Sequence, residues 1–280
     1  MSTIRIIPRL DIKGPNLVKG IHLEGLRVLG KPEDFARYYY ENGADELLYQ
    51  DVVASLYERN SLSDIISRTA RQVFIPITVG GGLRTIDDIK MVLRAGADKV
   101  SINTAAVKDP ELIKKAATKF GSSTIAVAIE AIKQPNGEYH AYIDNGREET
   151  RKEVTEWAKR VEEMGAGEII ITSVDKEGTG EGYDLDLIKK ISSAVSIPVI
   201  AHGGAGKYED VSKPVTDSGA HAVSVASVLH YGLIGKNTLS ENRSEGNTEF
   251  LRSGRGNSKI IPCEISDIKN YFRSIGLKTR

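Results

Sequence analysis

Two carboxylates stand out by position. Asp11 closes the apolar run RIIPRLDI (5–12) and Glu130 closes TIAVAIE (124–130). The two runs are related by an internal repeat of about 120 residues. Carboxylates on opposite sides of a site can serve as general acid and general base. Helix capping, or pairing with a nearby lysine, would use the same residue types. Glycines carry the second chemistry. Gly80-Gly81-Gly82 follows one apolar run and Gly203-Gly204 follows its repeat partner, while Asn103-Thr104 and Ala226-Ser227 end two further runs. Glycine-rich turns leave backbone N–H groups open to an anion. A tight turn alone explains one cluster; two clusters related by a repeat predict a substrate with a phosphate at each end. Asp51, Asp175 and Glu177 also lie at run ends, and Lys19 sits in a first loop from which it can reach over the site as an electrostatic clamp.

These residues need a frame that presents run ends on one face. Eight short apolar runs alternate with amphipathic stretches: 5–12, 45–53, 75–79, 99–103, 124–130, 167–174, 197–201 and 222–227. Helical patterns cover 32–42, 85–95, 110–120, 151–164 and 184–195, with a last helix around 265–275. This beat predicts an α/β fold, a (β/α)8 TIM barrel, over a doubly wound sheet. The repeat supports it: VGGGLRT (79–85) matches AHGGAGK (201–207), and AGADKVSINTA (95–105) matches SGAHAVSVASV (218–228). Two half-barrels should face each other across a pseudo-two-fold axis. The chain reads as a single barrel over 1–280, with a long polar insertion at 234–259 after the eighth strand.

Lys plus Arg and Asp plus Glu are both 38, so no net field draws the chain to nucleic acid or anionic lipid. A single cysteine, Cys263, excludes an internal disulfide and a Cys-rich metal site. No signal peptide or membrane span is evident, which leads to the expectation of a soluble cytoplasmic protein. No nucleotide cofactor or metal site is evident; His22, His140, His202, His221 and His230 are too scattered to suggest a ligand set, although His202 could approach substrate.

DIKGPNLVKG, TVGGG, GADKVSINTAAV, GAGEIIITSVDKEGTGEGYD and GGAGK together resemble the cyclase subunit of imidazole glycerol phosphate synthase, over most of the chain. The resemblance implies a histidine-biosynthesis lyase that takes ammonia from a separate glutaminase docked at the N-terminal face of the barrel. It implies Asp11 and Glu130 as the catalytic pair and Lys19 as the loop-one lysine. Gly82, Asn103 and Thr104 fall at one phosphate site; Gly178, Gly204, Ala226 and Ser227 fall at the other. Asn145, Thr172 and Glu177 fall among the substrate contacts. Arg5, Glu46, Lys99 and Glu168 fall on a ring of four charges through which ammonia enters; a plain salt-bridge plug would use the same residues.

Departures cluster at the centre. Glu130 and Glu177 stand where the family has aspartates, Asn145 and His202 where it has serines, and Arg9 where it typically has cysteine. With two-residue alternation, Arg5, Ile7, Arg9 and Asp11 share one face of the first strand. Arg9 therefore points into the barrel and must be paired there. Asp11 or Glu130 is the expected partner, with Gln50 and His202 nearby. Pairing with Asp11 would favour its ionised form and weaken it as an acid. A paralogue that passes ammonia to another acceptor, such as a surface-polysaccharide sugar, therefore stays open. So does a non-catalytic barrel that only docks a glutaminase, while the charge ring argues against the sibling isomerase of the pathway.

Overall fold

Each of the eight apolar runs forms a strand of one closed parallel barrel in the computed structural model, which describes residues 3–54, 62–236 and 259–280. The staves are β1 (Arg5–Lys13), β4 (Leu47–Asp51), β5 (Ile77–Gly80), β6 (Lys99–Ile102), β7 (Ile125–Lys133), β10 (Glu168–Ser173), β11 (Val199–His202) and β12 (Ala222–Val225). They run β1-β4-β5-β6-β7-β10-β11-β12, and β12 pairs back to β1 in register Arg5 with Ala222. Alternation along each stave divides the apolar residues in two. Ile6, Leu47, Val100 and Ile169 face the surrounding helices in the main core. Ile7, Leu48, Ala126, Ile170, Ile200 and Ala222 form a separate cluster inside the barrel.

The expected helices form at Pro32–Glu41, Ile86–Arg94, Glu111–Phe120, Leu185–Ala194 and Ile265–Ser274. Thr85 illustrates the local control: its hydroxyl accepts from the Asp88 N–H at 3.1 Å and its own N–H donates to the Asp88 carboxylate at 2.9 Å. That reciprocal pair satisfies two donors that a helix start leaves open.

Four strands go beyond the sequence reading. β2 (Asn16–Ile21) and β3 (Glu24–Gly30) make an antiparallel arm on the first strand-to-helix connection. β8 (Tyr139–Ile143) and β9 (Glu148–Glu153) make another on the fifth. The first connection is thus a hairpin, not an open loop. Likewise the helix expected from Arg151 begins at Val154, where the Glu153 side chain accepts from the Thr155 and Glu156 N–H groups. The polar insertion expected over 234–259 lies outside the described residues from 237 to 258, whereas Ile234 and Gly235 end the helix Ser227–Gly235. Among the described residues, no helix is long and apolar enough to cross a membrane.

Candidate active site

At the N-terminal end of the barrel, side chains from the starts of β1, β4, β6 and β10 close a ring. Arg5 Nη1 lies 2.9 Å from Glu46 and Arg5 Nη2 lies 2.7 Å from Glu168. Lys99 Nζ completes the circuit, 3.5 Å from Glu46 and 3.0 Å from Glu168. Each carboxylate therefore bridges both cations, which is how partly buried charges satisfy one another. All four residues named from the sequence are brought together. Above them sits the apolar belt of Ile7, Leu48, Ala126, Ile170, Ile200 and Ala222.

The next inward positions are polar. Arg9, 3% exposed, donates from Nε to Asp11 Oδ1 at 2.7 Å and from Nη1 to Thr172 Oγ1 at 3.5 Å. Asp11 is thus the partner of Arg9, one of the two that the sequence suggested. Two residues invisible as functional in the sequence hold this strand. His230 is wholly buried between the Tyr39 hydroxyl, 2.6 Å from Nδ1, and the Arg9 carbonyl, 2.9 Å from Nε2. Burial pushes the His230 ring down to about 3. It is neutral, so its Nε2–H donates to Arg9 and its Nδ1 accepts from Tyr39.

At the C-terminal mouth the first arm folds inward. Lys19 lies on β2, not in a flexible loop, and is buried in an ion pair with Glu177. Its Nζ is 4.0 Å from Asp11 Oδ2. Burial alone would raise the Glu177 carboxyl, but the Lys19 ammonium against it outweighs burial and holds Glu177 below the usual range. His202 Nδ1 donates to the Ser224 carbonyl at 3.2 Å, and its Nε2 stands 3.8 Å from Glu177. Burial, helped by Arg9, lowers the ring below its ordinary value. Further contacts seat the arm: His22 N–H donates to the Glu177 carbonyl at 2.9 Å, and Asn145 Nδ2 donates to the Leu23 carbonyl at 3.0 Å.

Glu130 faces a different environment. Its Oε2 accepts from the Gly146 N–H at 2.8 Å, and among the described residues no cation bonds to it directly. Burial pushes its carboxyl up to about 7, against the pull of Arg9 and the Gly146 bond. The two carboxylates picked from the sequence thus differ in setting: one bonded to a guanidinium, the other buried and holding its proton near neutrality.

The two glycine sites also differ. A cavity of about 320 Å³ opens beside Glu130, lined by Gly82, Asn103, Thr104 and Asn145, and also by Arg84 and Lys108. The two cations were not singled out in the sequence, although Lys108 stands one helical turn from Thr104. Asn103 and Thr104 also tie down the second arm, through the Tyr142 carbonyl at 3.2 Å and Asp144. On the other side, Gly178, Gly204, Ala226 and Ser227 line a cavity of only about 10 Å³, room for a single water. The arm covers it, since a Cβ on Gly178 would fall 2.5 Å from the Gly20 carbonyl oxygen. Gly204 is obligatory for a like reason: φ is +112° and a Cβ would fall 2.1 Å from the Gly182 oxygen.

Other candidates stand apart. Asp175 accepts from the Lys133 N–H at the rim, and His140 pairs with Glu149 near the surface. Asp51 lines the larger cavity. Cys263 is buried, and burial pushes its thiol up to about 12. Among the described residues, no group of three or more His, Cys, Asp or Glu side chains is placed to hold a metal ion.

Comparison with known proteins agrees with this architecture. The histidine biosynthesis protein family matches residues 5–235. The imidazole glycerol phosphate synthase subunit HisF of Legionella pneumophila is 59% identical over 210 residues, which is 75% of this chain and 99% of that protein. The subunit of the same name from Alkaliphilus metalliredigens is 43% identical over 90% of this chain and all of its own length. That of Trichormus variabilis is 47% identical over 83% of this chain and 91% of its own. A family match over residues 5–235, with identities of 43–59% over most of the chain, assigns this chain to the histidine biosynthesis family, among the cyclase subunits of imidazole glycerol phosphate synthase.

Proposed function

We propose that this chain consumes ammonia delivered by a glutaminase subunit docked on the N-terminal face of the barrel, in a heterodimer. The acceptor is a ribulosyl formimino aminoimidazole carboxamide ribonucleotide with a phosphate at each end. Ammonia cleaves and cyclises it to imidazole glycerol phosphate and an aminoimidazole carboxamide ribonucleotide. The observation that carries this reading is axial. A closed ring of alternating charges lies at one end of the barrel, and two buried carboxylates, Asp11 and Glu130, lie toward the other end with the two glycine turns. The apolar belt between them suits neutral ammonia far better than ammonium.

The roles follow from the settings. Glu130, holding a proton up to about pH 7, is the proton donor. Asp11, engaged as an acceptor by Arg9, is the proton acceptor. Gly82, Asn103, Thr104 and Asn145 receive one phosphate, and Gly178, Gly204, Ala226 and Ser227 receive the other. The first arm, which carries Lys19 and packs on Glu177, must shift for that second phosphate to enter, because the covered cradle is too small for it. Thr172 and Glu177 then line the centre.

The relatives are named as subunits of a synthase, which supports a partner. The test is direct: purified chain, ammonium salt and the bisphosphorylated ribonucleotide are combined, and imidazole glycerol phosphate is measured. Product formation is expected; folded protein that binds the ribonucleotide without converting it would refute this acceptor. The Arg9–Asp11 pair favours one second reading, a related barrel that aminates a different acceptor, which that same negative result would support.

A further inference from the structure

Arg9 reaches across the barrel. From β1 its guanidinium extends to Thr172 on β10, three staves away around the wall, while Nε holds Asp11. Any molecule moving from the charged ring through the apolar belt to Asp11 and Glu130 must pass this level. A guanidinium cannot deprotonate to let a molecule by, and here it is tied at both ends. We propose that Arg9 is a bolt across the barrel interior, barring ammonia from the mouth until a bound acceptor engages Asp11 and frees the guanidinium. The proposal rests on the reading of this chain as an ammonia-consuming barrel and goes beyond it.

Three features of the tier support the bolt. First, among the described residues Arg9 Nη2 has no hydrogen-bond partner, and neither do His202 Nε2 or the Ser224 hydroxyl on inward positions of the same tier. Buried polar atoms without partners are costly, and such a set fits a small polar guest. Ammonia has one lone pair to accept from Nη2 and three N–H groups to donate to His202 and Ser224. Ammonium has no lone pair and would meet a fixed positive charge, so the tier selects the neutral form. Second, the bolt is weakly seated at its far end, where the bond to Thr172 is 3.5 Å long. Asp11 is therefore the lock, and Asp11 belongs to the site that the acceptor fills. Third, the Arg9 carbonyl is pinned by His230, so release swings the side chain and leaves the strand in place.

The test uses the barrel with its partner glutaminase and counts glutamine consumed per product formed, at subsaturating ribonucleotide. Wild type is expected near one to one. Arg9→Ala, with the bolt removed, is expected to consume several-fold more glutamine per product, as ammonia escapes through an unoccupied mouth. Arg9→Lys keeps the charge without the fork and should fall between. Damage to Asp11 alone would lower ammonium-supported turnover by the same factor by which it raises the ratio, so the bolt is read from the excess of the ratio over that factor, and no excess in folded Arg9→Ala overturns the proposal. A second readout needs no variant. The wild-type Arg9 Nε–H NMR resonance, held downfield by the carboxylate, should shift upfield as ribonucleotide saturates the site; no movement overturns the bolt equally. A wild-type chain that uses ammonia from neither source would overturn the functional reading itself, an outcome distinct from both.

Discussion

Asp11→Asn is expected to lower ammonium-supported turnover about a thousandfold, within the range that one positioned proton-transfer group supplies. Asparagine keeps the shape of the side chain but is not a base. The same change removes the anion from a guanidinium buried at 2.7 Å. Breaking a buried pair by deleting one partner typically costs about 3–5 kcal/mol. Arg9 keeps its bond to Thr172, so the lower end, about 3 kcal/mol, is expected in denaturant unfolding. The two effects separate: steady-state turnover well below the unfolding midpoint reports catalysis, and the midpoint reports the pair. A variant within tenfold of wild-type turnover would remove Asp11 from the mechanism. A chain that served only to dock and activate a glutaminase would have no turnover to lose and would keep that activation.

Glu130→Gln carries the second large effect, and its signature is in the pH profile. With its carboxyl up at about 7, Glu130 is protonated below neutrality and ionised above. As the proton donor it should give turnover that declines as pH rises through about 7; as a base it would give the opposite limb. Glutamine can still accept from the Gly146 N–H, so the variant should fold, lose roughly a hundredfold in rate, and lose that limb. Stability moves too, and the sign is fixed by which state holds the proton. Between the ordinary 4.5 and about 7 the folded chain keeps a proton that the unfolded chain releases. Stability from this group is therefore full below pH 4.5 and lost as pH rises through about 7, by about 3 kcal/mol in all. Glu177, held low by Lys19, acts in the reverse sense, its contribution lost only as pH falls below the usual carboxylate range. Glu130→Gln should flatten the decline between pH 4.5 and 7, which denaturant unfolding across that range would show.

The staves were legible in the sequence because each is a short apolar run bounded by turn residues, and the repeat fixed their pairing into halves. Arg9 with Asp11 was legible for a simpler reason: positions two apart on a strand share a face. The arms were not. The β2–β3 turn is made by His22 and Leu23 at φ +52° and +62°, a conformation that normally advertises itself with Asn or Gly. Here it is held from outside, by Glu177, Val174 and Asn145, residues more than a hundred positions away. β9 reads EETRKE, with no apolar alternation to mark a strand. Lys19 was expected over the mouth and lies there, but its burial against Glu177 depends on the seating of that arm, which no local pattern encodes. The His230 link to Arg9 is hidden in the same way, as a contact between the first and last staves' surroundings.

On this reading nitrogen travels along the barrel from the charged floor to the two carboxylates. The measurement closest to it supplies the complex with amide-¹⁵N glutamine in a bath of unlabelled ammonium at moderate concentration and reads ¹⁵N in the imidazole product. Delivery through the barrel predicts product carrying mostly ¹⁵N, well above its share of the dissolved pool. Product whose label matches that pool would mean that ammonia enters from solvent at the mouth, and would contradict the account.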